Sequence, residues 1–440
     1  MPSLVPTLPD DDRTNGWSRL LPDRLANFPL RGERSFDWLV IGGGYTGLAA
    51  ARRIAQHRPQ DSIALLDAGE VGDNASGRNS GFAIDLPHNF ASADDVNLAR
   101  RAIGVSRYAI AQLEQLIAEH GIQCDWSHAG KYHVAVTEDV RKKELDTYMR
   151  DLDAWGEPYE FVLRHELARR LGTEHYCAAV YTPGPRLMNP AALCRGLVDT
   201  LPSNVAVFEG SAVVRFDFEG PRPFAETEEG TVHFGKAILA VNAFASQFGV
   251  FRNQMIPIVL FASLTRPLSD AQLASLGSER EWGITPAHSV AGSTMRLTRD
   301  RRLLIRHGFE YSPGFRCSDE RRQAARAEHA RLLSKRFPQL GDIEIDHFWM
   351  GWLSVSQNHA PAFGNVNPNV YAASCCNGVG IVRNSAAGML IADLACGVEN
   401  DLIQDFTAQG LANRLPPRPI LDLGVEAKLW WDVTAGRAES

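Results

Sequence analysis

The chain has few cysteines, no excess of positive charge and no long uninterrupted apolar run. Its seven cysteines in 440 residues are scattered and form no C-x-x-C pair, which disfavours a disulfide framework or a zinc ribbon and suits the reducing cytoplasm. Lys and Arg total 45 against 52 Asp and Glu, a formal net charge of −7, and this balance argues against a nucleic-acid-binding protein. We expect a protein without a structural metal and without nucleic acid as a partner.

Targeting and membrane-spanning patterns are also missing. The first residues, MPSLVPTLPDDD, contain neither a basic segment nor an apolar core, so we expect no signal peptide. Residues 347–382 contain no Asp, Glu, Lys or Arg, but prolines and glycines interrupt them, so they are not expected to form a transmembrane helix. A stretch this long without charge is expected to lie deep in the fold, where it could face a ligand, and we expect a cytoplasmic protein.

What the sequence does contain is a strand–turn–helix–strand pattern near its start. The apolar residues 36–41 are followed by GGGYTG and then by the alanine-rich residues 48–55, which have helical composition. A second apolar run, residues 62–66, ends at Asp67. This order predicts a βαβ unit and a parallel sheet.

The glycines of this turn have the spacing G-x-G-x-x-G at Gly42, Gly44 and Gly47. Glycines at this spacing allow a tight turn, close approach of a pyrophosphate to the backbone, and close packing of helix on strand. Asp67 follows Gly47 by 20 residues, where an acid accepts hydrogen bonds from the adenosine ribose. We therefore predict a dinucleotide site; the alternative is a glycine-rich turn in an unrelated α/β fold.

The next segment, residues 68–81, is long, polar and rich in glycine. A plain NAD domain would return to helix within a few residues, so this loop favours a flavin as its ligand. Arg78 would lie near the pyrophosphate or the pyrimidine edge, and Ser76, Asn79 and Ser80 would donate hydrogen bonds. A flexible surface loop is the alternative interpretation.

The rest of the chain is predicted to alternate between helices and strands. The expected helices cover residues 92–120, 138–171, 191–201, 321–337 and, last, 381–395, and the expected strands cover residues 134–136, 205–208, 212–216 and 231–240. Sheet-like units at both ends, with a different composition between them, suggest one domain interrupted twice by another.

Four segments together resemble a known family: VIGGGYTGLAAA, LLDAGEVGDNASGRNSG, ILAVNAFAS and the late glycine motif at residues 378–381. They resemble the FAD-dependent D-amino-acid-oxidase-like superfamily, and within it the γ-glutamylputrescine oxidoreductase group of amine and amino-acid oxidases. The resemblance implies an α/β fold with a discontinuous, Rossmann-like FAD-binding domain and an inserted substrate domain on a mixed β-sheet. The implied division is an N-terminal arm over the surface (1–35), an FAD-binding domain (36–92, 189–250 and 347–415), a substrate domain (93–188 and 251–346) and a C-terminal tail (416–440).

The resemblance also implies which residues bind the cofactor. They are Gly42, Gly44, Tyr45, Thr46, Gly47, Asp67, Ala68, Ser76, Gly77, Arg78, Asn79, Ser80, Val213, Asn242, Gly378, Val379, Gly380 and Ile381. Val213 would pair its backbone with adenine, and the last four would offer backbone N–H groups and a helix N-terminus to the flavin O2, where reduced flavin carries negative charge. We expect non-covalent FAD, because residues 349–356, the strand that carries the linking Cys in some members, contain none. Cys375 and Cys376 are expected as buried residues rather than a redox pair.

The substrate side carries weaker signals. His133, on a predicted strand, could accept or relay a proton, or could be a merely hydrogen-bonded strand histidine. Arg296 and Arg306 could each anchor a carboxylate, or could be solvated surface residues. Trp352 and His359 could form the wall of the pocket, although core packing is the commoner role. Asn358 replaces an aspartate that the family often has there, which puts any role of that acid in doubt.

From these residues we predict an FAD-dependent enzyme that oxidises the C–N bond of an amine or amino acid. Hydride transfer to flavin N5 would give an imine that hydrolyses, and O₂ or a membrane quinone would reoxidise the flavin. The alternatives are an enzyme of the same fold that oxidises the C–OH bond of a 2-hydroxy acid, and a non-catalytic flavoprotein.

Overall fold

The computed structural model describes residues 2–8, 14–87 and 95–440. Its strands are β1 Ser3–Leu4, β2 Gly32–Ile41, β3 Ile63–Leu66, β4 Phe82–Ala83, β5 Lys131–Ala135, β6 Glu160–Leu163, β7 Ala178–Thr182, β8 Arg186–Leu187, β9 Val205–Phe208, β10 Arg215–Asp217, β11 Phe224–Glu226, β12 Gly230–Leu239, β13 Ile256–Thr265, β14 Trp282–Pro286, β15 Thr294–Leu297, β16 Leu303–Tyr311, β17 Ile345–Val355, β18 Ala362–Asn367 and β19 Val370–Ser374. Its α-helices are α1 Gly16–Arg19, α2 Tyr45–His57, α3 Val96–His120, α4 Glu138–Val140, α5 Asp146–Trp155, α6 Arg164–Leu171, α7 Pro190–Asp199, α8 Asp270–Ala274, α9 Asp319–Arg336, α10 Gly380–Cys396, α11 Leu402–Phe406 and α12 Ile420–Ala435.

The first sheet is centred on the predicted βαβ unit. Its strand order is β1-β10-β11-β12-β2-β3-β9, with β19 also paired to β12 and β18 paired to β19. Strand β2 is parallel to both β3 and β12, and its residues 38–41 are buried together with all of β3. Continuous apolar runs of this kind are typical of parallel strands that are covered on both faces.

The crossover helix α2 packs closely on this sheet because of Gly47. A Cβ atom at Gly47 would lie 1.7 Å from the Gly42 carbonyl oxygen, so any side chain there would force the helix away from the turn. Helix α10 packs against α2 on the same side of the sheet. The close packing predicted for the third glycine of the motif is therefore present.

The second sheet is mixed, with the order β17-β13-β16-β15-β14-β5-β7-β6. Strands β14 and β5 are parallel, and the other pairs are antiparallel. One face packs on α6, α9 and the segments beside them around a buried core that includes Trp282 and Phe337. The other face turns toward the β2–α2 turn. The α/β class and the mixed sheet expected for the second domain are confirmed.

Three segments differ from the sequence-based expectations. Residues 138–171 are not one helical region, because Gly156 ends α5 with a left-handed φ of 79° and β6 then joins the second sheet. Residues 416–440 are not a simple tail, because they contain α12, so the helix near residues 381–395 is not the last one. Strand β17 belongs to the second sheet, whereas the expected FAD-binding domain includes its residues from 347 onward.

The first 35 residues also do more than cover the surface. Trp17 is 3% exposed, and its ring lies edge-on to Trp349, 6.4 Å between centroids. Its indole N–H donates to the Asn79 carbonyl oxygen at 2.8 Å. Residues 32–35, at the end of the expected arm, already form part of β2. The interpretation of residues 1–35 as a surface arm is therefore wrong for α1 and for the start of β2.

Candidate active site

A cavity of about 590 Å³ lies between the two sheets. The predicted residues that line it are Gly42, Gly44, Tyr45, Thr46, Asp67, Ala68, Ser76, Arg78, Asn79, Ser80, Val213, Asn242, Arg306, Trp352, His359, Gly378, Gly380 and Ile381. The early glycine turn and the late glycine motif thus meet in one cleft. The predicted residues outside the lining are Gly47, Gly77, His133, Arg296 and Val379.

One end of the cavity is built by the β2–α2 turn and Asp67. Asp67 is 7% exposed, and its carboxylate accepts hydrogen bonds from the backbone N–H groups of Gly43 at 2.7 Å and Gly69 at 2.9 Å. The Asn74 side chain donates to the same carboxylate at 2.8 Å. These bonds fix the acid at the carboxyl edge of the parallel sheet, beside the N-terminus of α2, which is where a nucleotide's ribose and phosphates bind in such folds.

Burial sets the charge state of Asp67. It raises the pKa of the Asp67 carboxyl to about 6, although the two backbone hydrogen bonds act in the opposite direction. Ribose hydroxyls donate hydrogen bonds, so they favour the ionised carboxylate, whereas the cofactor-free protein takes up a proton as the pH falls through this pKa.

This pKa predicts that FAD binding is weaker in acid. The affinity for FAD should be highest above about pH 7. It should fall about tenfold between about pH 7 and pH 5, because binding of FAD then requires loss of the proton from Asp67. A fluorescence titration of FAD at the two pH values measures this change. The Asp67→Asn variant should bind FAD more weakly at pH 7 and should lose the pH dependence; equal pH dependence in both proteins would contradict the assignment.

The predicted flavin loop is fixed by hydrogen bonds rather than flexible. The Arg78 guanidinium donates to the carbonyl oxygens of Asp73 at 2.5 Å and Met350 at 3.1 Å, and Trp349 donates to the Arg78 carbonyl at 2.8 Å. The Ser76 hydroxyl accepts from the backbone N–H of Tyr45 at 3.1 Å. The loop therefore connects the N-terminus of α2 to strand β17 of the second sheet through hydrogen bonds. These bonds exclude the alternative that it is a flexible surface loop.

The late glycine motif also borders the cavity. Gly378 has a φ of 85°, in the left-handed region that favours glycine, and the chain then enters α10 at Gly380. Gly380, Ile381 and Asn384 of the first turn of α10 line the cavity. Free N–H groups and the positive end of the helix dipole therefore face the cavity, an arrangement that stabilises negative charge. Val379 points elsewhere, into a small apolar cluster with Phe82 and Leu187.

The lining of the cavity fits a flavin dinucleotide by its chemistry. Two helix N-termini, a buried acid and a polar loop meet in a long cleft roofed by apolar and aromatic side chains. The family model described as FAD dependent oxidoreductase matches residues 37–394. The chain belongs to the DAO family of FAD-dependent oxidoreductases. FAD is its cofactor, and it is an oxidoreductase.

Individual relatives are similar over most of their length. The chain is 27% identical over 398 residues to the probable oxidoreductase OrdL of Rhizobium meliloti (strain 1021), covering 88% of this chain and 89% of the relative. It is 26% identical over 403 residues to γ-glutamylputrescine oxidoreductase of Escherichia coli (strain K12), covering 88% and 90%. The structure of glycine oxidase from Geobacillus kaustophilus matches with a TM-score of 0.69 at 20% identity, covering 87% of this chain and all of that one. The last likeness is one of fold.

Arg296 lies behind the cavity and is bonded to backbone. It is 2% exposed, and its Nη1 donates to the carbonyl oxygens of Ser80 at 3.0 Å, Gly81 at 3.0 Å and Met188 at 2.7 Å. Its guanidinium also stacks on Trp17, 5.3 Å from the ring centroid. The geometry argues against Arg296 as a carboxylate-binding residue, because its guanidinium is already bonded to the backbone at the end of the flavin loop.

Arg306, unlike Arg296, faces the cavity. It lines the cavity from β16, and its Nη2 donates to the Thr294 hydroxyl at 2.7 Å. No carboxylate in the described residues lies within ion-pair distance of it. Burial alone lowers the pKa of Arg306 to about 10, so the guanidinium remains charged at neutral pH. A half-buried cation in a cavity wall, without an acidic partner, is a site that a carboxylate can complete.

Trp352 and His359 also lie in the cavity wall. Trp352 packs edge-on to Phe315, 5.7 Å between centroids. His359 has a left-handed φ of 55°, and its carbonyl accepts from Asn377 and Arg383. Its ring Nδ1 is buried without a hydrogen-bond partner in the described part of the chain. Burial lowers the pKa of His359, so its ring is neutral at pH 7 and presents an unsatisfied nitrogen.

The sequence reasoning missed the contribution of the C-terminal helix α12. Lys428, Leu429 and Asp432 of this helix line the cavity. The helix is held near its start by a hydrogen bond from the Tyr311 hydroxyl to Asp422 at 2.6 Å, and beyond its end by Glu439, whose carboxylate accepts from the backbone of Thr137 at 2.9 Å. The sequence signal for this segment was the absence of proline from residue 420 to residue 440, around the apolar pair Trp430-Trp431, which permits a helix rather than a tail.

Non-covalent attachment of FAD remains a prediction, and acid denaturation tests it. Cys376 lines the cavity, but burial raises its pKa, and burial raises the pKa of Cys375 to about 12. Since the thiolate is the nucleophile, neither thiol is activated for attack on the flavin ring. Acid precipitation of the holoprotein should release the flavin into the supernatant. Yellow, fluorescent precipitate that survives washing would show a covalent bond; a Cys376→Ser variant would then identify its position.

Proposed function

We propose that the enzyme oxidises the C–N bond of a carboxylated amine, such as an amino acid, in the part of the cavity beneath the second sheet. The observation that carries this proposal is Arg306, a half-buried cation in the cavity wall with no acidic partner in the described residues. When bound, FAD would supply the acceptor for a hydride from the carbon that bears nitrogen, and the resulting imine would hydrolyse. The names of the relatives, γ-glutamylputrescine oxidoreductase and D-amino acid dehydrogenase, support an amine donor.

Arg306 orients the substrate in this proposal. Its guanidinium binds a carboxylate with two parallel hydrogen bonds, which fixes the plane of the carboxylate and so the direction of the neighbouring carbon. Thr294 holds the guanidinium in place through its hydroxyl. Fixing the reacting carbon in one orientation replaces a bimolecular encounter by a positioned one.

The apolar walls favour the neutral amine. Trp352, Phe309 and Leu260 line the cavity, and the ring of His359 in the same wall is neutral at pH 7. Moving an ammonium group into such surroundings is costly, so the amine is bound preferentially without its charge. The lone pair of a neutral amine assists the departure of hydride from the adjacent carbon.

An anaerobic panel tests the donor class. Holoprotein is mixed without O₂ with amino acids, simple amines and 2-hydroxy acids, and bleaching of the flavin absorbance is followed. We expect bleaching by carboxylated amines, weaker bleaching by simple amines and none by hydroxy acids. Bleaching by hydroxy acids alone would show that the C–OH bond is attacked and would overturn the proposal.

The electron acceptor and the location are part of the same proposal. Admitting air after bleaching, and adding a soluble quinone in a parallel sample, shows whether O₂ or a quinone restores the absorbance. No helix in the described residues is long and apolar enough to cross a bilayer. All seven cysteines are free, which is typical of proteins of the reducing cytoplasm, the location we propose.

A further inference from the structure

A cluster of buried polar side chains lies directly behind the cavity wall in the second sheet. Lys131 and His133 are two residues apart on β5, so their side chains point to the same face of the sheet. Thr285 stands opposite His133 on the parallel strand β14 and lines the cavity. The side chain of Thr285 therefore separates two titratable groups from the cavity.

Both groups contact the Thr285 hydroxyl. The ring Nδ1 of His133 is hydrogen-bonded to Thr285 Oγ1 at 3.0 Å, and the Lys131 ammonium donates to the same oxygen over a longer distance, 3.5 Å. Lys131 is 1% exposed and His133 is 9% exposed. A single hydroxyl thus joins the cavity to two groups that bulk water hardly reaches.

The surroundings of Lys131 lower the pKa of its ammonium group toward the physiological range. The ring of Tyr148, on α5, lies 5.4 Å from the Lys131 Nζ and also packs edge-on to His133. Asp85 attracts the proton of Lys131 from a distance, but it is ion-paired at 3.2 Å with Arg107 on α3. Burial outweighs this attraction and lowers the pKa of Lys131 to about 8. A lysine with such a pKa beside a cavity is typical of functional sites rather than of structural cores.

We propose that Thr285, His133 and Lys131 form a proton relay that removes a proton from the substrate's ammonium group. This inference rests on the proposed function. The proton leaves the substrate nitrogen for Thr285 Oγ1 while the hydroxyl proton passes to Nδ1 of His133, so one N–H bond breaks and another forms. Lys131 controls the relay, because its positive charge opposes the arrival of a proton on His133.

The inference is tested with Thr285→Val, which keeps the shape of the side chain but removes the hydroxyl, and with Thr285→Ser as the matched control. Anaerobic reduction by an amine just above about pH 8, where Lys131 has lost its proton, should be about 100-fold slower in Thr285→Val, which is the usual size of a general-base effect. Thr285→Ser should remain within about threefold of wild type. Near pH 10, where a much larger fraction of a free amine is deprotonated than near pH 8, Thr285→Val should recover to within a few fold of wild type.

Lys131 is tested by its effect on the pH profile. In wild type, kcat/KM should rise with pH through about 8, as Lys131 loses its proton. In Lys131→Met this rise of kcat/KM should disappear, and the enzyme should remain active at lower pH. Lys131→Arg should stay charged, so its kcat/KM should be low at every pH in the range. A rise of kcat/KM that is unchanged in Lys131→Met would overturn the relay. A loss of rate in Thr285→Val that is equally large at both pH values would also overturn it and would show that these residues have a purely structural role.

A binding measurement separates this inference from the proposed function. Calorimetry of a non-oxidised amine ligand in buffers of different ionisation enthalpy counts the protons released on binding. Above about pH 8, where Lys131 is neutral, wild type should release few protons because the relay retains the proton, and Thr285→Val should release about one more. If no amine bleaches the flavin at any pH, the proposed function fails; an equal proton count in the two proteins would overturn the relay itself.

Discussion

Replacing Arg306 with leucine is expected to raise KM for a carboxylated amine about 100-fold and to leave KM for a simple amine within about threefold. The reason is the missing acidic partner: in the described residues the guanidinium is bonded to Thr294 and otherwise faces the cavity, so a substrate carboxylate would supply its counter-charge. Steady-state kinetics with a matched pair of substrates, an amino acid and its decarboxylated amine, measure the effect.

Two further variants sharpen this test. Arg306→Lys keeps the charge but loses the two-pronged geometry, and it should recover part of the affinity. Arg296→Leu removes a buried arginine that is bonded to backbone carbonyls. It should lower the melting temperature and affect both substrates alike. A uniform loss of activity in Arg306→Leu, or a carboxylate-specific loss in Arg296→Leu, would contradict the assignment.

Replacing Gly44 with valine is expected to weaken FAD binding at least about 100-fold, so that the protein is purified colourless. A Cβ atom at Gly44 would lie 2.5 Å from the Ser76 hydroxyl oxygen, at the point where the flavin loop meets the α2 N-terminus. The larger valine would fill the space in which a pyrophosphate approaches the backbone. Flavin content per chain and a titration with added FAD measure the loss.

The control for Gly44→Val is a glycine without a close neighbour. Gly104, on α3, has open space around the position of a Cβ atom, so Gly104→Val should keep full flavin content. Circular dichroism of both variants checks that the fold is intact. A Gly44→Val protein that retains FAD at wild-type affinity would show that the pyrophosphate does not approach this turn.

The cofactor half of the site could be predicted from the sequence because short-range patterns specify it. Gly42, Gly44 and Gly47 follow a strand, open a helix and precede Asp67 by a fixed interval, so local chain geometry alone brings these residues together. The late motif at residues 378–381 was placed by resemblance, and the structure brings it to the same cavity.

The substrate half could not be predicted in the same way, because it depends on which face of a strand points to the cavity. Arg296 and Arg306 look alike in sequence, but one is turned to backbone carbonyls and the other to the cavity. His133 lies one layer behind the wall, and Thr285, which has no distinctive sequence signal, stands in front of it. Helix α12 was missed because its contacts with β16 and with the backbone of Thr137 are long-range.

The most direct test of the account is a crystal structure of the holoprotein with its flavin resolved. We expect the ribose on Asp67, the pyrophosphate at the Gly42–Gly47 turn, and the flavin ring between the α10 N-terminus and the second sheet, with its pyrimidine edge toward Gly378–Ile381. Electron density for the flavin ring outside this cavity, or a ring with its pyrimidine edge turned away from α10, would contradict it.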